Sequence, residues 1–257
     1  MDQGKKTISI ICATFNAENY LNDFLKCVAS QDSNEFELIV VDGNSSDKTV
    51  DIIKSNENLI SKYISENDKG IYDAWNKGIE LASGDWLAFV GADDKLVSDF
   101  ISVYLEAIKK SPLNTDYLSS KVSYVNKDGT ILKVLGGCWK WEEFKYRMTT
   151  AHVGSMHNKR LFKQVGFYDI NYQIVGDYEL LLRKKEKLVT FFIDKVTINM
   201  LAGGISLSYH SLIERRRAHI LTAKINPIKA YILFFIGVIF LLKLKWYAKY
   251  IFFKTRY

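Results

Sequence analysis

Apolar residues in this chain come as short runs alternating with helix-spaced stripes. Lys6–Ala13 and Phe36–Val41 are two such runs. Between them, Leu21, Phe24, Leu25 and Val28 recur at i, i+3, i+4 and i+7, which predicts a helix over Tyr20–Ser30 with one apolar face. Strand, helix, strand in this order is a crossover unit and opens a parallel sheet. The pattern continues with a helix at Thr49–Asn56, a strand at Lys62–Ser65 and a helix at Ile71–Ala82. Gly70 precedes that helix, and Ser83-Gly84 stops it. Trp86–Val90 is apolar throughout, as a strand covered on both faces must be.

Beyond residue 95 the alternation is mixed. Ser98–Lys109 has helical spacing. Asp116–Val125 and Thr130–Val134 read as strands around an Asn126-Lys127-Asp128-Gly129 turn. Leu161–Gly166 and Asp177–Lys187 read as helices, and Val189–Ile198 as a strand. Residues 136–150 carry no clear period. The whole is an α/β pattern without internal repeats.

The C-terminal stretch differs in kind. Ala230–Leu242 is an uncharged apolar run of about 20 Å as a helix, short against a hydrocarbon core of ~30 Å. Lysines then alternate with Trp246, Tyr247, Tyr250, Phe252 and Phe253. That mixture suits a membrane interface or a re-entrant segment; a stretched span and a buried core helix are the alternatives. Charge follows the same division. The net charge of +6 arises after Glu214, where ten Lys and Arg meet no acid, so residues 1–214 are net negative. A negative body argues against nucleic acid as a partner. Three widely spaced cysteines, Cys12, Cys27 and Cys138, form neither a disulfide framework nor a zinc pattern, and point to a reducing compartment. The first residues lack the apolar core and cleavage site of a secretory signal.

Candidate chemistry gathers after the strands of the first half. Thr14-Phe15-Asn16, Asp42-Gly43-Asn44-Ser45-Ser46-Asp47, Glu66-Asn67-Asp68-Lys69-Gly70 and Asp93-Asp94 all fall at expected C-terminal strand ends, where open α/β sheets bind ligands. Asp47 also suits a helix cap. Adjacent carboxylates at Asp93-Asp94 favour an oxygen-seeking cation such as Mg²⁺ or Mn²⁺, joined to substrate phosphates. No glycine-rich phosphate loop follows the first strand, so a nucleotide here needs a metal to neutralise it, and a dinucleotide-dependent oxidoreductase is disfavoured. A nucleotidyltransferase and a non-catalytic scaffold remain alternatives. Asp177 and Glu179 open a helix, where its dipole favours negative charge, a position suited to a general base. His152 and His157 flank Gly154-Ser155 as candidate acceptor-site residues. Gly203–Ser206 reads as a loop or turn, with His210 after it as a possible metal ligand.

Taken together, ISIICATFNAE, FELIVVDGNSSDKT, ENDKGIYDAWNKGIELASGDWLAFVGADD, HVGSMHNKRLF, VGFYD and VGDYELLLR resemble family 2 glycosyltransferases of the GT-A fold, especially bacterial enzymes of exopolysaccharide, capsule and O-antigen synthesis. The resemblance covers about Ile8 to Ser206. It implies a Rossmann-like nucleotide-binding sheet over about residues 1–95 and a mixed acceptor half over 96–214; the charge and apolar pattern make 215–257 a basic, hydrophobic membrane-associating tail. It implies donor contacts at Thr14, Phe15, Asn16, Asp42, Asp68, Asn76, Lys77 and Asp93. Asp94 becomes the ligand of Mn²⁺ or Mg²⁺ in a DxD-type motif, Asp177 the base of an inverting transfer, and His152, His157 and Glu179 acceptor-site residues. The implied partners are a nucleotide-sugar donor, a polyprenyl-diphosphate-linked saccharide and the cytoplasmic face of a bacterial inner membrane. Two positions depart from the family pattern: Gly43 stands where a second aspartate is common, and Gly176 where a glutamate often precedes the base.

Overall fold

The computed structural model describes residues 6–203 and 208–254. Its first half runs β1 (Ile8–Thr14), α1 (Leu21–Ala29), β2 (Phe36–Asp42), α2 (Thr49–Ser55), β3 (Lys62–Ser65), α3 (Ile71–Leu81) and β4 (Trp86–Gly91). The second runs β5 (Lys95–Leu96), α4 (Phe100–Lys110), β6 (Tyr117–Val125), β7 (Ile131–Leu135), α5 (Trp141–Phe144), β8 (Ser155–Asn158), α6 (Lys159–Val165), α7 (Gly176–Lys184), β9 (Thr190–Leu201), α8 (Tyr209–Leu221) and α9 (Pro227–Lys254).

One sheet holds the strands in the order β3-β2-β1-β4-β8-β6-β9-β5, with β7 paired to β6. β1 lies parallel to β2 on one side and to β4 on the other. The chain thus builds outward from β1 in one direction, then returns to build in the other. That reversal opens a crevice beyond the C-terminal ends of β1 and β4. Alternation along the strands supplies two core layers. Ile10, Cys12, Leu38, Val40, Ala88 and Val90 pack on the Leu21/Phe24/Val28 stripe of α1 and on Phe100 and Tyr104 of α4. Ile11, Ile39, Val41, Leu87 and Phe89 pack on Tyr72, Trp75 and Ile79 of α3 and on Leu180–Leu182 of α7. The apolar spacing of the first half therefore predicted its elements to within a residue or two.

The second half holds the differences. β8 (SMHN) has too little apolar character to mark a strand. It forms by inserting antiparallel between β4 and β6, a pairing of residues far apart in sequence. Two-residue β5 exists only as a partner of β9. β9 extends to Leu201, beyond the predicted Ile198, because β6 offers a parallel edge along its whole length. α7 stops at Lys184, since Lys185 turns into the left-handed region at φ +53°, and a single 3₁₀ turn follows. α8 was not predicted at all. It starts on a capping box between Ser208 and Ser211 and runs through the arginine cluster, so the change of composition at Glu214 falls inside a helix. Gly204–Ser206 of the expected loop lie outside the described residues.

α9 is longer than the apolar run that marks it in the sequence. Asn226 accepts the Ile228 N–H at 2.9 Å, and Pro227 occupies the first position of a continuous helix of 28 residues. Such a helix is about 42 Å long. Its Pro227–Leu244 portion has a mean hydropathy of 2.0 with only 11% of it buried. The helix is long and apolar enough to cross a membrane, and too exposed to be a core helix. The three cysteines are free, Cys12 buried and Cys138 exposed.

Candidate active site

Parallel pairing places Thr14 directly beside Asp42 at the ends of β1 and β2. The Asp42 carboxylate is fully buried and accepts from four donors. Thr14 Oγ1 (3.0 Å) and Ser45 Oγ (2.5 Å) reach Oδ1, while the Ser45 N–H (2.9 Å) and Ser65 Oγ (2.7 Å) reach Oδ2. Asp42 is thus a knot between three strand ends. Asn16, in the left-handed region at φ +49°, accepts from the Ser46 N–H and turns the chain there. Asp47 accepts from the Thr49 N–H and hydroxyl at the start of α2, the capping role its position suggested. Phe15 projects into solvent at 68% exposure beside this knot.

Asp93 is exposed and Asp94 buried. Both close over Gly91: a Cβ there would stand 2.7 Å from Asp93 Oδ1 and 3.5 Å from Asp94 Oδ2. The Gly91 N–H donates to Asp94 Oδ2 at 2.9 Å. Burial, opposed by that hydrogen bond and reinforced by the Asp93 charge, pushes the Asp94 carboxyl up to about 7. A cleft of about 340 Å³ opens on the pair, lined also by Asn19, Tyr20, Lys95 and Lys127. Two hard oxygen donors fit Mg²⁺ or Mn²⁺, and no third His, Cys, Asp or Glu completes a site among the described residues.

Asp177, half-buried in the first turn of α7, accepts a hydrogen bond from Tyr72 Oη at 3.2 Å. Tyr72 belongs to an aromatic cluster with Trp75, Tyr168, Phe89 and His152, in which His152 stacks on Trp75 at 4.8 Å. His152 Nε2 meets Tyr168 Oη at 3.2 Å, and burial lowers its pKa below the ordinary histidine value. The start of α7 is braced by a residue the sequence did not single out. Glu214 accepts from the N–H groups of Gln173, Ile174 and Val175 at 2.7–3.0 Å. His210 Nε2 lies 3.2 Å from the same carboxylate.

The other expected site residues are held by defined partners. His157 is fully buried among Phe89, Tyr117 and Phe162, and burial holds its pKa well down. Glu179 is held by Arg183 (2.5 Å) and by Thr222 Oγ1 (2.8 Å), tying α7 to the end of α8. Asn76 brackets the backbone of Tyr168, its amide exchanging two 2.9 Å hydrogen bonds with that residue. Lys77 pairs with Glu66 at 2.8 Å and donates to the Asn67 carbonyl, which fixes the loop carrying Asp68. Tyr72 could have been found only as one of several apolar-face aromatics on α3.

Both departures from the family pattern have a local cause. A Cβ at Gly43 would meet Asp68 Oδ2 at 2.7 Å, so the Asp68 carboxylate occupies the space a side chain at 43 would take. A Cβ at Gly176 would stand 2.8–2.9 Å from three carbons of the Tyr72 ring. One segment, residues 68–72, therefore fills the room at both glycines. Gly176→Glu is expected to push Tyr72 off Asp177 and to cost about 1–3 kcal/mol of overpacking strain. A thermal melt lowered by at least about 3 °C checks it; an unchanged melt would mean that the ring has room to move.

A sheet that reverses its build between β1 and β4, with carboxylates on that crevice, has the GT-A arrangement of glycosyltransferases. Solved structures share it. Staphylococcus aureus TarS 1–349 in complex with UDP-GlcNAc matches at TM-score 0.62 and 18% identity, over 89% of this chain and 70% of that one. Against the longer TarS structure, this chain spans 41% of the length. A Pyrobaculum calidifontis mannosyltransferase in complex with GDP-Man and Mn²⁺ matches at TM-score 0.58 and 13% identity, over 86% of this chain and 64% of that one. In sequence, a PGL/p-HBAD biosynthesis glycosyltransferase of Mycobacterium bovis is 30% identical over 204 residues, 77% of this chain and 78% of the relative. The chain belongs to glycosyltransferase family 2, whose model matches residues 9–166.

Proposed function

We propose that this glycosyltransferase moves a sugar, with inversion, from a nucleotide-sugar donor to a lipid-linked saccharide at the cytoplasmic face of a bacterial inner membrane. The observation that carries the reading is the pairing of two carboxylate sites of different character. Asp93 and Asp94 close over the end of β4, and Asp177 stands separately at the start of α7 against Tyr72. The solved relatives bound to UDP-GlcNAc and to GDP-Man with Mn²⁺ support the donor class.

In this reading the donor lies across the β1/β4 crevice. Thr14, Phe15 and Asn16 line the nucleotide end, and Asp68 presents its carboxylate in the space at Gly43. Asp94, with Asp93, would hold Mn²⁺ or Mg²⁺, which would supply positive charge to offset that of the departing diphosphate. Asp177 accepts the proton of the acceptor hydroxyl as that oxygen forms its bond to the anomeric carbon and the diphosphate oxygen leaves with the bonding pair. A single displacement inverts that carbon. Tyr72 Oη keeps Asp177 Oδ1 oriented, and Glu214 keeps the start of α7 in place. Residues 1–214 supply this chemistry, and α9 attaches it to the membrane through its exposed apolar surface and its lysines.

The test is a binding and hydrolysis panel of UDP-, GDP- and dTDP-sugars, with and without Mn²⁺ or Mg²⁺. One nucleotide class is expected to bind, at least tenfold more tightly with metal. A folded protein that binds none of them, with or without metal, would overturn the nucleotide-sugar reading.

A further inference from the structure

A cavity of about 500 Å³ lies between α8 and α9, and neither Asp94 nor Asp177 lines it. Its walls are of two kinds. Leu212, Leu233 and Phe240 are apolar, Arg147, Arg215 and Arg216 are cationic, and no acidic residue is among the lining. Two of the arginines are already engaged. Arg147 reaches Glu143 at 3.6 Å, and Arg216 lies over the rings of Tyr231 and Phe234 at 4.6 and 4.9 Å. Arg215 is different. It is half-buried, and it makes no hydrogen bond or ion pair among the described residues. Beside it, His219 is 2% exposed and bonds Tyr178 Oη at 3.1 Å through Nε2.

A guanidinium partly withdrawn from water, on a cavity wall that holds no acid, is stabilised when an anion meets it. Arginine's planar fork matches phosphate in particular. The opposite wall belongs to α9, whose Ile232, Phe235, Ile236 and Ile239 continue the apolar surface outward at more than half exposure. A free phosphate would leave the apolar wall wet, and a neutral chain would leave Arg215 unmet. We propose that this cavity takes the phosphate head of a membrane lipid, held by Arg215, with the hydrocarbon chain laid along α9. A head group bound here would fix how the protein sits on the bilayer, apart from the lysines of α9.

The test uses the full chain in a neutral maltoside detergent. It is titrated calorimetrically with farnesyl phosphate, with short-chain phosphatidic acid, with farnesol and with inorganic phosphate. At least one lipid phosphate is expected to bind tenfold or more tightly than farnesol and than inorganic phosphate. Preference for farnesyl phosphate would assign the site to an isoprenoid carrier, and preference for phosphatidic acid to bulk phospholipid. Arg215→Gln should weaken that binding at least tenfold, with partial recovery in Arg215→Lys. Leu233→Trp, which fills the cavity from the apolar side, should weaken it too, and a native-like melting transition shows that either variant is folded. Asp177→Asn should bind the lipid unchanged, which separates this site from the proposed transfer reaction. Equal binding of inorganic phosphate or farnesol would overturn the proposal, as would native affinity in both Arg215→Gln and Leu233→Trp.

Discussion

Asp177→Asn is expected to lower sugar transfer by roughly 10²–10⁴-fold, the range over which a positioned general base contributes. Donor affinity should stay within about twofold. Asparagine has nearly the same volume, and its Oδ1 can still accept from Tyr72 Oη, so the 3.2 Å contact and the start of α7 survive. What is lost is the ability to take a proton from the acceptor hydroxyl. The loss should therefore fall on kcat, with KM for the donor little changed. Steady-state transfer alongside donor titration separates the two. Transfer retained to within tenfold would remove Asp177 as the base and shift attention to the other polar groups around Tyr72.

The second large effect belongs to Asp94. Asp94→Asn should abolish the metal-dependent part of donor binding, read as the ratio of affinities with and without Mn²⁺. It should also raise the stability of the metal-free protein at alkaline pH. The sign follows from burial. The Asp94 carboxyl rises from 3.8 to about 7 on folding, so ionising it in the folded state is unfavourable. That cost is absent below 3.8, grows between 3.8 and about 7, and is complete above 7. The neutral amide avoids it. At pH 8 without metal, the variant should melt at least about 4 °C higher than the native chain, and at pH 4 the two should nearly coincide. A lower melting temperature for the variant at pH 8 would mean that the hydrogen bond from Gly91 outweighs the burial cost. Metal should bind better as pH rises through 7, because the ion requires the ionised carboxylate. Such a residue exchanges stability for a binding task, as buried functional groups commonly do.

The first half of this fold could be read because its elements are local. The Leu21/Phe24/Val28 stripe and the FELIVV run each announce themselves within ten residues. β8 and β5 could not be read, since both exist only through partners distant in sequence. α8 was obscured because its arginines register as charge and its burial is sparse. α9 was truncated because its lysines interrupt the apolar run, although Asn226-Pro227 carried a start signal. At the site, sequence position found the carboxylates but not what each touches. Asp42 and Asp94 look alike in the sequence; one is saturated by Thr14, Ser45 and Ser65, the other opens on a cleft. Glu179 is read from its place at a helix start and His157 from flanking Gly154-Ser155 with His152; their partners could not be read, because a helical offset turns Glu179 toward Arg183 and strand pairing buries His157 in the sheet. Tyr72 and Glu214 act on Asp177 from 105 residues before it and from the far side of β9, separations that no local pattern spans.

The contacts at Gly43 and Gly176 bear on how this sequence can vary. Each glycine is tied to a bulky residue of the segment 68–72, Gly43 to Asp68 and Gly176 to Tyr72. The two contacts constrain variation unequally. An aspartate at position 43 would meet only the movable end of the Asp68 side chain, whereas a side chain at position 176 would be driven into the buried ring of Tyr72. Recombination within the family therefore has to exchange the start of α7 together with the segment that carries Tyr72.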